Sequence, residues 1–268
     1  MKKVGFIGGG NMAGAIIKGL LAGPYVSDDV IVSDAAEGAR RRLKRAYKVE
    51  ATKDNSAVVE NARVIVLAVK PQAMADVLAG IRPTATPKKL FVSIAAGFPL
   101  ARLEQGLGGA ARVVRVMPNA PALLGKGMSV AVAGSHATKA DVTQTLNIFR
   151  AVGEAVSIEG EGLLDAVTGL SGSGPAFVYY FAEHLIEGGV RGGLTQRLAT
   201  QLAFQTIAGA SAMLLESGKS PRDLREMVAS PGGTTHAGLA AMDEHGFRQT
   251  VVAAVDAATR RARELASA

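Results

Sequence analysis

The sequence predicts an α/β domain built on a largely parallel sheet, residues 1–160, followed by an all-α domain, residues 161–268. Three observations predict it. A short apolar strand runs straight into a glycine loop and a helix at residues 3–21, β-rich and helical runs then alternate, and after Gly160 no convincing strand remains. Alternation of this kind winds a parallel sheet, whereas a helical tail must bury its faces on other helices. A chain of 268 residues is long enough for two such cores.

The first strand, residues 3–7, leads into Gly8-Gly9-Gly10-Asn11-Met12-Ala13 and a helical run at 15–21. This is G-x-G-x-x-A between a strand and a helix. Gly8 suits the tight turn, Gly10 lets the backbone approach a pyrophosphate, and Ala13 keeps the helix close to the strand. The bland reading is a glycine turn in an α/β layer that binds nothing. Asp34, closing a strand at 30–33, favours the ligand. A carboxylate there accepts hydrogen bonds from both ribose hydroxyls of NAD and repels the extra phosphate of NADP, which favours NADH mildly over NADPH. Opposing it, the basic run Arg40-Arg41-Arg42-Leu43-Lys44-Arg45 could set a guanidinium over a 2′-phosphate, although a solvated helix face is the simpler account. Further strands are expected at 63–69, 89–95, 112–117 and 128–133, with a helix at 72–81. The loops Ala68-Val69-Lys70-Pro71, Ser93-Ile94-Ala95-Ala96-Gly97 and Met117-Pro118-Asn119 then lie at the carboxyl ends of strands, where open α/β sheets bind ligands. Lys70 could pair with a phosphate there.

Helices are expected at 163–169, 174–188, 196–216, 221–228, 235–244 and 249–266. Several lack a clear polar face, as at Pro175-Ala176-Phe177-Val178-Tyr179-Tyr180-Phe181, so helices of a partner chain should cover them in an intertwined dimer or larger ring. Between two of these helices stands Ser230-Pro231-Gly232-Gly233-Thr234-Thr235-His236. The turn residues expect Thr234 or Thr235 to cap the next helix, with free amides at the helix end able to hold a small carboxylate and a threonine hydroxyl left for a second polar group. An ordinary helix cap is the plainer alternative.

The formal charge of +7 calls for no more than anionic small molecules, and no nucleic-acid motif or interleaved aromatics accompany the arginines. The absence of cysteine excludes disulfides and thiol catalysis and fits a cytoplasmic protein. The chain opens on a strand rather than a signal peptide, and its longest apolar stretch, around 198–215, carries Gln201, Gln205 and Ser211, so it reads as a buried helix rather than a membrane span. His136, His184, His236 and His245 show no metal-ligand spacing, and no metal is expected.

Taken with the opening loop and Ala68-Val69-Lys70-Pro71, the segments Thr168-Gly169-Leu170-Ser171-Gly172-Ser173-Gly174-Pro175-Ala176 and Val228-Ala229-Ser230-Pro231-Gly232-Gly233-Thr234-Thr235 resemble pyrroline-5-carboxylate reductase over essentially the whole chain. The resemblance implies a Rossmann-type NAD(P)-binding domain and a helical dimerisation domain. It implies hydride transfer from NADH or NADPH to 1-pyrroline-5-carboxylate, the last step of proline biosynthesis. It implies a swapped homodimer, often built into a decamer of five dimers. Cofactor contacts carry over to Ile7, Gly8, Gly9, Gly10, Asn11, Met12, Asn55, Ala68, Val69, Lys70, Pro71, Ile94, Ala95 and Ala96. Substrate contacts carry over to Ser230, Gly232, Gly233, Thr234 and Thr235, with the amides at 233–235 on the substrate carboxylate and the Thr235 hydroxyl on the ring nitrogen. Asp34 departs from family members that take NADPH. Other readings are a reductase of another cyclic imine and a non-catalytic NAD(H) sensor. Hydroxy-acid dehydrogenation is disfavoured, because the only lysine after residue 160 is Lys219, in a turn.

Overall fold

A computed structural model describes residues 1–267. The chain begins β1 (Lys2–Ile7), α1 (Asn11–Ala22), β2 (Val30–Ser33), α2 (Glu37–Tyr47), β3 (Glu50–Thr52), α3 (Asn55–Asn61), β4 (Ala62–Leu67) and α4 (Pro71–Ile81). It continues through β5 (Leu90–Ser93), α5 (Leu100–Gly106), β6 (Arg112–Met117), β7 (Gly127–Ala133), α6 (Lys139–Phe149), β8 (Gly153–Ser157) and α7 (Leu163–Val167). Only helices follow: α8 (Gly174–Arg191), α9 (Gln196–Glu216), α10 (Pro221–Val228), α11 (Thr234–Glu244) and α12 (Phe247–Ser267).

The strands form one eight-stranded sheet in the order β3-β2-β1-β4-β5-β6-β7-β8. Every pair is parallel except β6 with β7. The chain winds outward from β1 through β2 to β3, then restarts at β4 on the other side of β1, so the winding direction reverses between β1 and β4. This is the architecture expected for the first half. Two strands go beyond the expectation, β3 and β8. Both lie at edges, pair on one side only, and are short, with polar residues where central strands carry Val and Ile, so period and propensity both mark them weakly.

Helices cover both faces of the sheet. Ile16, Ile17 and Leu20 of α1, Leu43 of α2 and Phe149 of α6 pack with Val4, Phe6 and Val32 on one face. Val58 of α3, Met74 and Leu78 of α4, Leu103 of α5 and Leu164 of α7 pack with Ile7, Ile65 and Phe91 on the other. Each residue named is almost wholly removed from water, and at about 25 cal/mol per Å² of apolar surface the side chains contribute roughly 1.5–3 kcal/mol each.

The described residues fall into two compact units, Met1–Ser173 with 257–267, and Gly174–Asp256. The change from strand to helix comes after β8, as expected, but Leu164 keeps α7 in the sheet's core, so the compact first unit extends beyond residue 160. In the second unit α9, expected to be buried, is fully buried within the chain only at Ala199 and Ala203. Leu202 and Phe204 stay 49% and 59% exposed. Hydropathy announced the need for cover without saying which chain supplies it. Among the described helices, α9 alone is long and apolar enough by composition to cross a membrane.

Candidate active site

Backbone register brings the predicted loops of the first unit to one edge. Ile7 lies opposite both Ser33 and Leu67, and Leu67 lies opposite Ser93, so β1, β2, β4 and β5 end on the same level. The ladder continues past the strand ends: Gly8 N–H donates to the Ser33 carbonyl at 2.8 Å, Ala68 N–H to Ile7 at 2.8 Å and Ile94 N–H to Leu67 at 3.1 Å. Gly8, Asp34, Ala68 and Ile94 therefore begin four adjacent loops at the point where the winding reverses, the usual ligand crevice of such sheets.

The glycine loop is shaped for an anion. Gly8 has φ +98°, and a Cβ there would sit 2.5 Å from the Ala68 carbonyl oxygen, so no other residue fits. Gly10 caps α1 with φ −68° and no side-chain cap, and a Cβ on it would meet nothing within 4 Å. The space above Gly10 is thus open, and the first amides of α1 face it without side-chain partners. Backbone donors at a helix N-terminus beside a gap suit a pyrophosphate.

Asp34, half-buried, accepts from Gly9 N–H through Oδ2 and from Ala36 N–H through Oδ1, both at 2.7 Å. Its carboxylate therefore fastens the glycine loop to the turn after β2, and each oxygen keeps a lone pair for a further donor. The basic run is partly engaged: Arg40 Nη1 donates to the carbonyls of Asp34 and Ala35 at 2.7 and 2.9 Å, and Arg42 Nη2 to the Gly9 carbonyl at 2.8 Å. Asn55, at the start of α3, joins the group through Ser33, whose hydroxyl donates to Asn55 Oδ1 at 2.7 Å. Sequence reasoning missed Ser33 and Arg42 as supports of this edge. Their partners lie 22 and 33 residues away, and no local pattern announces such bonds.

Lys70 is exposed and precedes Pro71, the first residue of α4. Ala95 is buried, whereas Ala96 is exposed at the loop's tip. At the end of β6, Asn119 accepts from Met128 N–H at 2.8 Å and donates to the Ser171 carbonyl at 3.0 Å. Residues 168–172 form a π-helical turn with Ser173 N–H bonded to Thr168 O at 2.8 Å, and a Cβ on Gly172 would meet Met117 Cε at 2.8 Å. Gly172 of this motif thus permits close packing against the strand end, whereas a Cβ on Gly174 would meet nothing within 4 Å. The π turn was not foreseen, since glycine and serine spacing says nothing of an i→i+5 bond.

In the second unit the Ser230–Thr235 segment closes on itself. Gly232 has φ +72°, and Gly233 N–H donates to the Ser230 carbonyl at 3.0 Å. The cap of α11 is Gly233, with no side-chain cap bond, so neither Thr234 nor Thr235 caps the helix as expected. Both threonines lie inside the first turn, because the glycine turn has already set the entry angle. The Gly233 amide is consumed by that turn, and the amides open to a ligand shift by one residue, to Thr234, Thr235 and His236. The hydroxyls of Thr234 and Thr235 point to no protein partner among the described residues. Nor do three His, Asp or Glu side chains converge on a possible metal position among them.

Known proteins resemble this chain along its full length. Residues 161–265 match the family described as pyrroline-5-carboxylate reductase dimerisation, and residues 3–97 match NADP oxidoreductase coenzyme F420-dependent. Pyrroline-5-carboxylate reductase of Methanosarcina acetivorans is 41% identical over 98% of this chain and 98% of its own. The enzyme of that name from Pseudomonas aeruginosa is 39% identical over 98% of this chain and 97% of its own. Among solved structures, the Coxiella burnetii pyrroline-5-carboxylate reductase superposes with a TM-score of 0.94 at 35% identity, covering 98% of each chain. The Plasmodium falciparum pyrroline carboxylate reductase, solved with NADP bound, gives 0.87 at 31% identity, covering 99% of this chain and 98% of its own.

Proposed function

Because the chain belongs to the pyrroline-5-carboxylate reductase family, we propose that it reduces the C=N bond of 1-pyrroline-5-carboxylate to give L-proline, the last step of proline biosynthesis. The observation that carries this reading is the start of α11: three amides in sequence, a positive helix end and two unpartnered threonine hydroxyls, built on a turn whose φ of +72° at Gly232 favours glycine. A carboxylate is held by the amides of Thr234, Thr235 and His236. The Thr235 hydroxyl, one atom group away, accepts from or donates to the ring nitrogen according to its protonation. Ser230, Gly232 and Gly233 keep that turn closed.

The first unit holds the dinucleotide. Gly8, Gly9, Gly10, Asn11 and Met12 seat its pyrophosphate, Asp34 its ribose, and Ile7, Asn55, Ala68, Val69, Lys70, Pro71, Ile94, Ala95 and Ala96 line the rest of the crevice. When bound, the reduced nicotinamide supplies the hydride that turns the protonated C=N carbon into C–H, leaving the secondary amine of proline and the oxidised dinucleotide. The chain's own contribution is orientation: a substrate fixed at two points needs no further acid once its nitrogen is protonated. NADH is mildly preferred, because Asp34 presents negative charge at the end of β2 while Arg40 and Arg42 are drawn to backbone carbonyls.

The functional division is 1–160 for the dinucleotide and 161–268 for substrate and pairing. The uncovered apolar sides of α8 and α9 fit a homodimer, which a decamer of five dimers can extend, and this use accounts for α9 without a membrane. We assign the protein to the cytoplasm, with no nucleic-acid partner and no metal.

The test is loss of nicotinamide absorbance with 1-pyrroline-5-carboxylate, run with NADH and NADPH at matched concentrations. Turnover with either is expected, and faster turnover with NADH bears on Asp34. Binding of both nucleotides without turnover points first to another cyclic imine and then to a sensor of the dinucleotide.

A further inference from the structure

The loop after β5 is anchored to the sheet side at Ile94, Ala95 and Phe98. Ile94 N–H bonds to Leu67, Ala95 N–H reaches the Ser93 hydroxyl at 3.3 Å, and Ala95 and Phe98 are 4% and 5% exposed. Ala96 and Gly97 bridge these anchors. Gly97 has φ +68°, and a Cβ there would lie 3.2 Å from Leu265 Cβ and 3.4 Å from that residue's carbonyl carbon and oxygen. The last turn of α12 therefore rests its backbone on Gly97, between those anchors. Residues 257–267 belong to the same compact unit as the sheet, and Ala262, one turn before Leu265, is the only buried residue of α12. Arg263 Nε lies 3.9 Å from Asp165 Oδ2 on α7, a long ion pair with an exposed guanidinium beside the same helix end.

We propose that this end of α12 is a strap that sets the shape of the β5–α5 loop, with Leu265 as a positioning residue for the dinucleotide. The proposal rests on the reductase reading above and names how one wall of that crevice is kept in place. A loop with a left-handed glycine at its tip samples other conformations unless something backs it, and ordering it at the moment of binding weakens affinity. Leu265 removes that cost beforehand. Its contact is with Gly97 and not with a residue proposed to line the crevice, so it acts on dinucleotide affinity and leaves the chemical step alone.

The test compares the full chain with one ending at Glu264, which keeps Ala262 and Arg263. Nicotinamide fluorescence gives the dissociation constant for NADH, and steady-state rates give KM and kcat for each substrate. The shortened chain is expected to bind NADH about five-fold more weakly, with dinucleotide KM raised in step and with kcat, imine KM and dimer mass unchanged. Leu265→Ala keeps the atoms that touch Gly97 and is expected to match the full chain. If the shortened chain does not fold, Gly97→Ala presses on the same contact from the loop side and is read in the same way. Unchanged NADH affinity, a loss explained by a fallen dimer mass, or an equal loss in Leu265→Ala overturns the strap. A full chain that binds neither dinucleotide overturns the cofactor reading and the strap with it.

Discussion

Two glycines of the same loop should fail in opposite ways when given a methyl group. Gly8→Ala places a side chain at φ +98° and drives its Cβ to 2.5 Å from the Ala68 carbonyl oxygen, which belongs to the segment fastened to Ile7 across the point where the sheet's winding reverses. The backbone strain costs about 1–3 kcal/mol and the forced overlap about as much again, so roughly 2–6 kcal/mol of stability is lost. For a chain of this size that is a fall of about 5–15 °C in Tm. Gly10→Ala sits at φ −68°, which alanine adopts freely, and its Cβ meets nothing within 4 Å. The lower unfolded-state entropy and the poorer helix cap offset each other to within about 1 kcal/mol. Its methyl group instead fills the gap where the pyrophosphate is proposed to lie, and dinucleotide affinity should fall roughly 10- to 100-fold. Thermal unfolding and NADH titration of the two variants separate these effects. A Gly10→Ala protein that keeps both its Tm and its NADH affinity would refute the placement of the pyrophosphate above α1.

Three further outcomes are expected. Thr235→Ala should lower kcat/KM for the imine about 30-fold, on the order of 2 kcal/mol, with NADH affinity unchanged; equal efficiency in the variant removes the hydroxyl from the mechanism. Asp34→Ser should narrow the preference for NADH in kcat/KM and also loosen the glycine loop, since both carboxylate oxygens hold backbone amides; a ratio that does not move shows that charge at this position is not what discriminates. Glu161→Ala strands Arg115, 5% exposed and paired with Glu161 at 2.5 Å, and leaves Leu100 N–H without its acceptor at 2.8 Å, so denaturant unfolding should show a loss of about 3 kcal/mol or more. Arg115→Met with Glu161→Gln should lose less, because no buried charge is left unpaired.

The sequence by itself determined the parts whose signals are local. Runs such as Val64–Leu67, short, rich in β-branched residues and apolar at every position, read as central strands, and Gly8 to Ala13 between a strand and a helix admits few conformations. The helical second half, with too little polar surface to stand alone, was equally legible. What only the tertiary structure decided rests on residues far apart in the chain. Edge strands β3 and β8 are defined by a single neighbour each rather than by their composition. Ser33 with Asn55, Arg42 with Gly9 and Leu265 with Gly97 meet because the sheet and the return of α12 bring them together. At α11 the composition announced a glycine turn and a helix start, yet whether threonine or glycine served as cap depended on one hydrogen bond, from Gly233 N–H to Ser230 O. Apolar period and glycine geometry act over a few residues and can be read in order; hydrogen-bond partners are chosen by proximity in space, which exists only once the chain has folded.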